Sequence, residues 1–215
     1  IHKLDGEDST FTTSNVVANV MGIIKTSNQV FPEERGDGYC ARMEVMEEEV
    51  KVLGMINVRV IAQGSVITGK LYEPIKDTKS PYSKLDCGIP FTEKPQGISF
   101  DYKAEVGHQK VKGTGLSAIK ELVMSDYADI MALLQNRWED SDGKIYAKRV
   151  GTGYMRIKEC VNDWINGHIL PIRYGDISSI PEYEEYMGLR GKDSETANYA
   201  LNSRGKSVII DEIGW

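Results

Sequence analysis

Gly88–Glu105 reads GIPFTEKPQGISFDYKAE, and its two halves behave differently. Gly88, Pro90, Pro95 and Gly97 punctuate the first half as a turn-rich approach. The second half alternates, with Ile98, Phe100, Tyr102 and Ala104 on one side and Ser99, Asp101, Lys103 and Glu105 on the other. A pleated strand with one buried face requires that period of two, because successive side chains leave opposite sides of the sheet. Phe100 and Tyr102 therefore read as core anchors. Asp101 and Lys103, on the opposite face, are the positions of this strand open to a ligand.

Outward from this stretch the chain repeats the same grammar. Tyr39 to Val45 alternates, Ile56 to Ile61 is β-branched, and Ser65 to Leu71 continues past Gly64. Tyr127 to Trp138 reads as a long strand with Ala128, Ile130, Ala132 and Leu134 on the core side. Asp142-Gly143 signals a hairpin into a return strand, Ile145 to Val150, and Tyr154 to Glu159 reads as a second return after Gly151 and Gly153. Asp37-Gly38 and Asn166-Gly167 read as turns, the latter leading into Ile169 to Arg173, and Val208 to Ile213 closes the chain. Val16 to Ile24 is an apolar segment, either a buried strand pair or a sheet edge. Leu116 to Met124 is the one helical candidate, or else an irregular crossover. Tyr72 to Pro95 holds four of the seven prolines and reads as a long loop.

Short strands with turns about every eight to twelve residues predict an all-β chain, a β-sandwich of jelly-roll type with at most one or two short helices. Residues 1–215 read as a single sandwich domain. The 40% hydrophobic content suffices for a core. A net charge of −6 with no basic run argues against nucleic acid or an anionic membrane as partner. Glu47, Glu48 and Glu49 form the one acidic run, expected at a solvated strand end or turn. No apolar run reaches the ~18 residues of a spanning helix. The chain begins at Ile1 rather than Met, which reads as a processed or excised sequence and leaves its compartment open. Cys40, Cys87 and Cys160 are too scattered for a disulfide framework; three reduced, buried thiols are expected, with one disulfide and one free thiol as the alternative.

Catalytic chemistry finds little purchase. His2, His108 and His168 lie far apart and read as surface or loop residues. Glu139-Asp140-Ser141-Asp142-Gly143 lacks the distal ligands of a calcium loop and reads as a hairpin turn. Gly113-Thr114-Gly115 and Gly151-Thr152-Gly153 lack the frame of a phosphate loop and read as turn or bulge glycines. No Gly-x-Ser-x-Gly elbow is present. A glycosidase pair of carboxylates about 5 to 9 Å apart is conceivable, but the 32 acidic residues do not single out two.

The aromatics say more. Three Trp and eleven Tyr outnumber four Phe, favouring rings with an apolar face and a polar tip. Such rings on a β scaffold suit a sugar surface, the ring covering the C–H side of a pyranose while polar neighbours take the hydroxyls. Trp138, at the solvent end of its strand, is the best platform. Trp164 and Tyr174 follow on loops, with Tyr72 and Tyr82 flanking the proline-rich loop. The expected partner is an oligosaccharide or polysaccharide.

Several blocks resemble one family. Ala62-Gln63-Gly64-Ser65-Val66-Ile67-Thr68-Gly69-Lys70-Leu71 carries a Gly-Ser-hydrophobic-hydrophobic-Thr-Gly pattern. Gly88-Ile89-Pro90-Phe91, Lys94-Pro95, Phe100-Asp101-Tyr102-Lys103, Ala128-Asp129-Ile130 and Val208-Ile209-Ile210-Asp211-Glu212 continue it. Together they resemble the PCMD family, a carbohydrate-metabolism domain of exported proteins in gut Bacteroidetes, found near glycan-utilisation genes. The resemblance implies a jelly roll like those of carbohydrate-binding modules, here the C-terminal part of a longer exported protein, in the periplasm or at the cell surface. It also implies a structural calcium at Asp211 and Glu212, although the N-terminal partner strand is not obvious, and no other cofactor. Tyr183 to Asn202 departs from the family's Ser-rich strand and reads as loop or insertion. The leading expectation is a non-catalytic, glycan-associated domain. The alternatives are a glycoside hydrolase or lyase working through a carboxylate pair in a sandwich groove, and a structural or adhesion module.

Overall fold

The computed structural model describes residues 10–20, 23–52, 56–74, 81–108, 111–112, 120–122 and 125–215. The chain is nearly all β, with curled sheets and two single-turn 3-10 helices, Pro81–Lys84 and Glu185–Met187, among the described residues. The strands gather into two compact units. One takes Ile1–Pro90, Val111–Lys120 and Asn198–Leu201; the other takes Phe91–Lys110, Glu121–Ala197 and Asn202–Trp215.

In the first unit, Phe11–Thr13, Val66–Leu71 and Leu85–Cys87 form an antiparallel sheet in the order first, second, third. Three antiparallel pairs accompany it: Val16–Val20 with Ile23–Ser27, Val30–Arg35 with Gly38–Met43, and Val45–Val52 with Ile56–Gln63. The apolar Val16 to Ile24 segment is thus a strand pair. Buried Asn15 joins the turns: its Oδ1 accepts the Gln29 and Val30 N–H groups at 2.9 Å each, and its Nδ2 donates to the Val30 carbonyl at 2.7 Å. A buried amide is stable only when its donors and acceptor are matched in this way.

Several expectations for this unit change. The hairpin corner is Gly36-Asp37, since Arg35 pairs with Gly38 and Gly36 takes φ +57°. The frame moves by one because that left-handed position must open the two-residue turn. Glu47, Glu48 and Glu49 lie inside the Val45–Val52 strand, not at its end; Glu48 accepts hydrogen bonds from Ser27 Oγ at 3.1 Å and Gln29 Nε2 at 3.3 Å. The Tyr72 to Pro95 loop is broken by the Pro81–Lys84 turn and the Leu85–Cys87 strand. All three cysteines are free, but none is buried: Cys40 and Cys87 are half-buried and Cys160 is exposed. Of the helical candidate, Lys120–Glu121 is a two-residue strand, while 116–119 and 123–124 lie outside the described residues, as do His2 and Gly113-Thr114-Gly115.

The second unit is built on three long strands. Ala128–Glu139 and Ile145–Ile157 run antiparallel through the Asp140 to Lys144 turn, and Ser207–Gly214 lies parallel to Ile145–Ile157 on its other edge. Arg173–Tyr174 pairs with Gly151 and Thr152. The two return strands expected before and after Gly151 are one strand of 13 residues. Gly151 and Gly153 do not break it. At Gly151 an added Cβ would meet Ile172 at 2.9 Å, and at Gly153 it would meet the Pro171 carbonyl and Ile172 at 3.2 and 3.3 Å, beside a register shift that leaves Val150 as a bulge. Ala128 is exposed, whereas Ile130, Ala132 and Leu134 are half-buried.

The opening stretch, Gly97–Ala104, pairs antiparallel with Val161–Pro171 in a ribbon of the same unit. Its burial alternates as the sequence predicts: Ile98, Phe100, Tyr102 and Ala104 are half-buried, and Ser99, Asp101 and Lys103 are exposed. Phe100 and Tyr102 enclose His168, with ring centres 5.3 and 5.5 Å from it, so that histidine is a strand residue in an aromatic cluster rather than a loop residue. Asn166-Gly167 is not a turn either. It forms a bulge inside the Val161–Pro171 strand, with Gly167 at φ +63° and its N–H donated to Asp101 Oδ1 at 2.6 Å.

Candidate functional site

Opposed residues of an antiparallel pair share a face, so the register assembles the site. Trp138 faces Tyr146 and Asn136 faces Lys148, which places these four on one face near the hairpin. Across the parallel pairing Tyr146 stands beside Asp211, adding a carboxylate to the same face. Trp138 is 42% exposed, and its ring lies 24° from parallel with the Tyr146 ring at a centroid distance of 5.9 Å. Asn136 and Lys148 are exposed beside it. Asp211 Oδ1 accepts the Lys192 N–H at 2.9 Å.

The hairpin fixes this pair of rings. Asp140 Oδ1 accepts the N–H groups of Asp142 and Lys144 at 2.9 Å each, and Gly143 sits at φ +82°. The Asp140 carboxyl is held below the usual carboxylate range by the Lys144 N–H first; desolvation opposes, and the Asp142 N–H, the Lys144 charge and the nearby Tyr146 hydroxyl add to the lowering. The turn that joins the two platform strands is held by these two hydrogen bonds from the Asp142 and Lys144 N–H groups. Glu139 secures it from behind, its carboxylate accepting the Ser203 N–H at 2.8 Å and the Ser203 hydroxyl at 2.7 Å.

The other sequence-predicted residues fall on separate elements. Asp101, Lys103 and Trp164 meet on the Gly97–Ala104 and Val161–Pro171 ribbon, where Lys103 Nζ lies 5.4 Å from the Trp164 ring centre. Trp164 and Tyr174 are strand residues, not loop residues, because their segments pair with Gly97–Ala104 and with Gly151-Thr152. Tyr174 donates its hydroxyl to the Pro95 carbonyl at 2.8 Å, and Lys94 Nζ lies 4.8 Å from its ring centre. Tyr72 is 40% exposed in the first unit, and the Tyr82 side chain lies outside the described residues.

Glu212 lies on the opposite face from Trp138, fully buried. Its carboxylate receives the Arg149 guanidinium through Nε and Nη2, the Gln135 amide and the Arg190 N–H. Burial alone would raise its pKa, but the hydrogen bonds and charge of Arg149, with Gln135 and the Arg190 N–H, bring it below the usual value. A general acid of a glycosidase needs the reverse shift.

Sequence reading missed Tyr146, Asn136 and Lys148, and a second cluster on the Glu212 face. There Asp129 binds Arg156 at 2.7 and 2.8 Å and accepts the Tyr154 hydroxyl at 2.6 Å. Arg156 lies between the Tyr127 and Tyr186 rings, 3.6 and 3.7 Å from their centres. Burial, then the hydrogen bond and charge of Asp129, push the Tyr154 phenol up to about 12. The signal for both groups is strand register, which no single stretch of sequence displays.

Comparison with protein-family models, curated proteins and solved structures finds no match to this chain.

Proposed function

We propose that this protein is a non-catalytic glycan-binding domain whose principal platform is the Trp138–Tyr146 face. The observation that carries this reading is the exposed Trp138 ring, held nearly parallel to Tyr146 with Asn136 and Lys148 alongside on the same face. A pyranose presents a C–H face to such a ring and hydroxyls to such neighbours. A ring already fixed by its strand loses little side-chain freedom on binding. Burying some tens of Å² on each ring contributes about 1–2 kcal/mol, so two or three contacts correspond to affinities in about the millimolar to micromolar range.

The blocks that resemble PCMD support the glycan class and a location in an exported protein at the periplasm or cell surface. The ribbon face of Asp101, Lys103 and Trp164 offers a second contact for a long polysaccharide. The binding reading is favoured over the hydrolase by Glu212, the one acidic residue among the buried polar side chains of the described residues, which is committed to Arg149. Retardation in native gels cast with plant and host polysaccharides tests the reading. At least one polysaccharide is expected to slow the protein; uniform free migration overturns it.

A further inference from the structure

The face of the long sheet opposite Trp138 carries two guanidinium–carboxylate ion pairs. Arg149 is matched by Glu212 and Arg156 by Asp129. Arg190 belongs to neither pair. Its main-chain N–H is used by Glu212, and among the described residues its guanidinium meets only the Met131 thioether, at 3.0 Å from Nη2, and the Thr196 carbonyl, at 3.4 Å from Nη1. A thioether is a weak acceptor, and a guanidinium offers five N–H donors in a planar fork suited to a carboxylate. Thr152 occupies the same face, two residues from Tyr154 along the Ile145–Ile157 strand. Its hydroxyl is buried, the residue being 3% exposed, and has no hydrogen-bond partner. This face thus holds a guanidinium whose direct acceptors are weak and a buried hydroxyl without a hydrogen-bond partner among the described residues.

We propose that Arg190 anchors an oxyanion site that takes a carboxylate-bearing ligand. The planar pair of oxygens of a carboxylate fits the planar guanidinium fork. The site is open to solvent: Arg190 is half-buried, while Met131 and Thr196, which contact it, are exposed. The carboxylate can belong to a free organic acid or to the uronic-acid unit of a glycan. This assignment does not depend on the Trp138 platform, which lies on the other face.

The test follows thermal unfolding of the whole chain in sodium acetate, sodium glucuronate, polygalacturonate and sodium sulfate, each against sodium chloride at equal ionic strength. Arg190→Gln and Arg190→Lys are run in parallel, with the Arg190 Nε–H resonance recorded for the wild type. Acetate and glucuronate are expected to raise the unfolding temperature saturably and to shift that resonance. Arg190→Gln is expected to weaken the response about tenfold or more, and Arg190→Lys to keep part of it. Acetate acting as strongly as glucuronate identifies a bare carboxylate as the ligand; a response strongest for polygalacturonate identifies the glycan unit. The site is overturned by a wild-type protein that distinguishes neither acetate nor glucuronate from chloride, or by an equal rise in Arg190→Gln. A larger Arg190-dependent rise in sulfate than in acetate overturns the carboxylate assignment. Should Arg190→Gln fail to fold, an Arg190 resonance unmoved by acetate overturns the proposal by itself.

Discussion

The Arg149 guanidinium and the Glu212 carboxylate form an ion pair with both side chains out of solvent, joining the central strand of the second unit to its parallel neighbour. Two carbonyls complete the arginine, those of Met187 and Gly188 at 3.1 Å each, so the 3-10 turn at Glu185–Met187 is tied to the sheet through this side chain. Removing one partner leaves the other charge buried and uncompensated, which costs about 3–5 kcal/mol. Glu212→Gln is therefore expected to lower the unfolding free energy obtained from denaturant titration by that amount. The pH dependence has a definite sign. Because the folded pKa of Glu212 is depressed, the pair's contribution is present above the ordinary carboxylate value of 4.5 and fades as pH falls through the lowered folded value. Denaturant titrations from neutral to strongly acid pH should show a steeper acid loss in the wild type than in Glu212→Gln.

Gly151 gives a packing test. A Cβ at that position would stand 2.9 Å from Ile172 Cγ2, 3.2 Å from Leu134 Cδ1 and 3.3 Å from the Tyr174 ring. Ile172 and Tyr174 are held by backbone bonds to Gln96 and to the central strand, so they cannot all withdraw. Gly151→Ala is expected to destabilise the protein by about 1–3 kcal/mol through overpacking, measured as a lower unfolding temperature without loss of strand signal.

How much of this the sequence discloses depends on the range of the interaction. Ile98, Phe100, Tyr102 and Ala104 announce their buried side because alternation is local to one strand. Asn166-Gly167 has the composition of a turn, yet it forms a bulge, because Asp101 on the neighbouring strand accepts the Gly167 N–H. The same nonlocal cause moves Trp164 and Tyr174 from expected loops into strands. Trp138 is legible as an exposed strand end, whereas its partner Tyr146 depends on the length of the Asp140 to Lys144 turn, which sets the register. Asp129 and Arg156 are 27 residues apart and meet only when that register is continued down both strands.

Tyr154 should titrate late. Its phenol, raised to about 12 by burial and by Asp129, remains protonated while ordinary tyrosines ionise near 10. The cluster's contribution to stability is then complete below the ordinary tyrosine value and is lost as pH rises through about 12. Phenolate absorbance followed through the alkaline range is expected to show a late component that disappears in Tyr154→Phe. A wild-type curve identical to that of Tyr154→Phe contradicts the hydrogen bond to Asp129.

The Trp138–Tyr146 platform is tested most directly by isothermal titration of the wild type and Trp138→Ala with a polysaccharide that retards the protein in native gels. The substitution removes an exposed ring, so the fold is expected to survive it. The platform predicts that Trp138→Ala weakens binding about tenfold, the equivalent of about 1–2 kcal/mol from one ring. An unchanged dissociation constant in Trp138→Ala contradicts it.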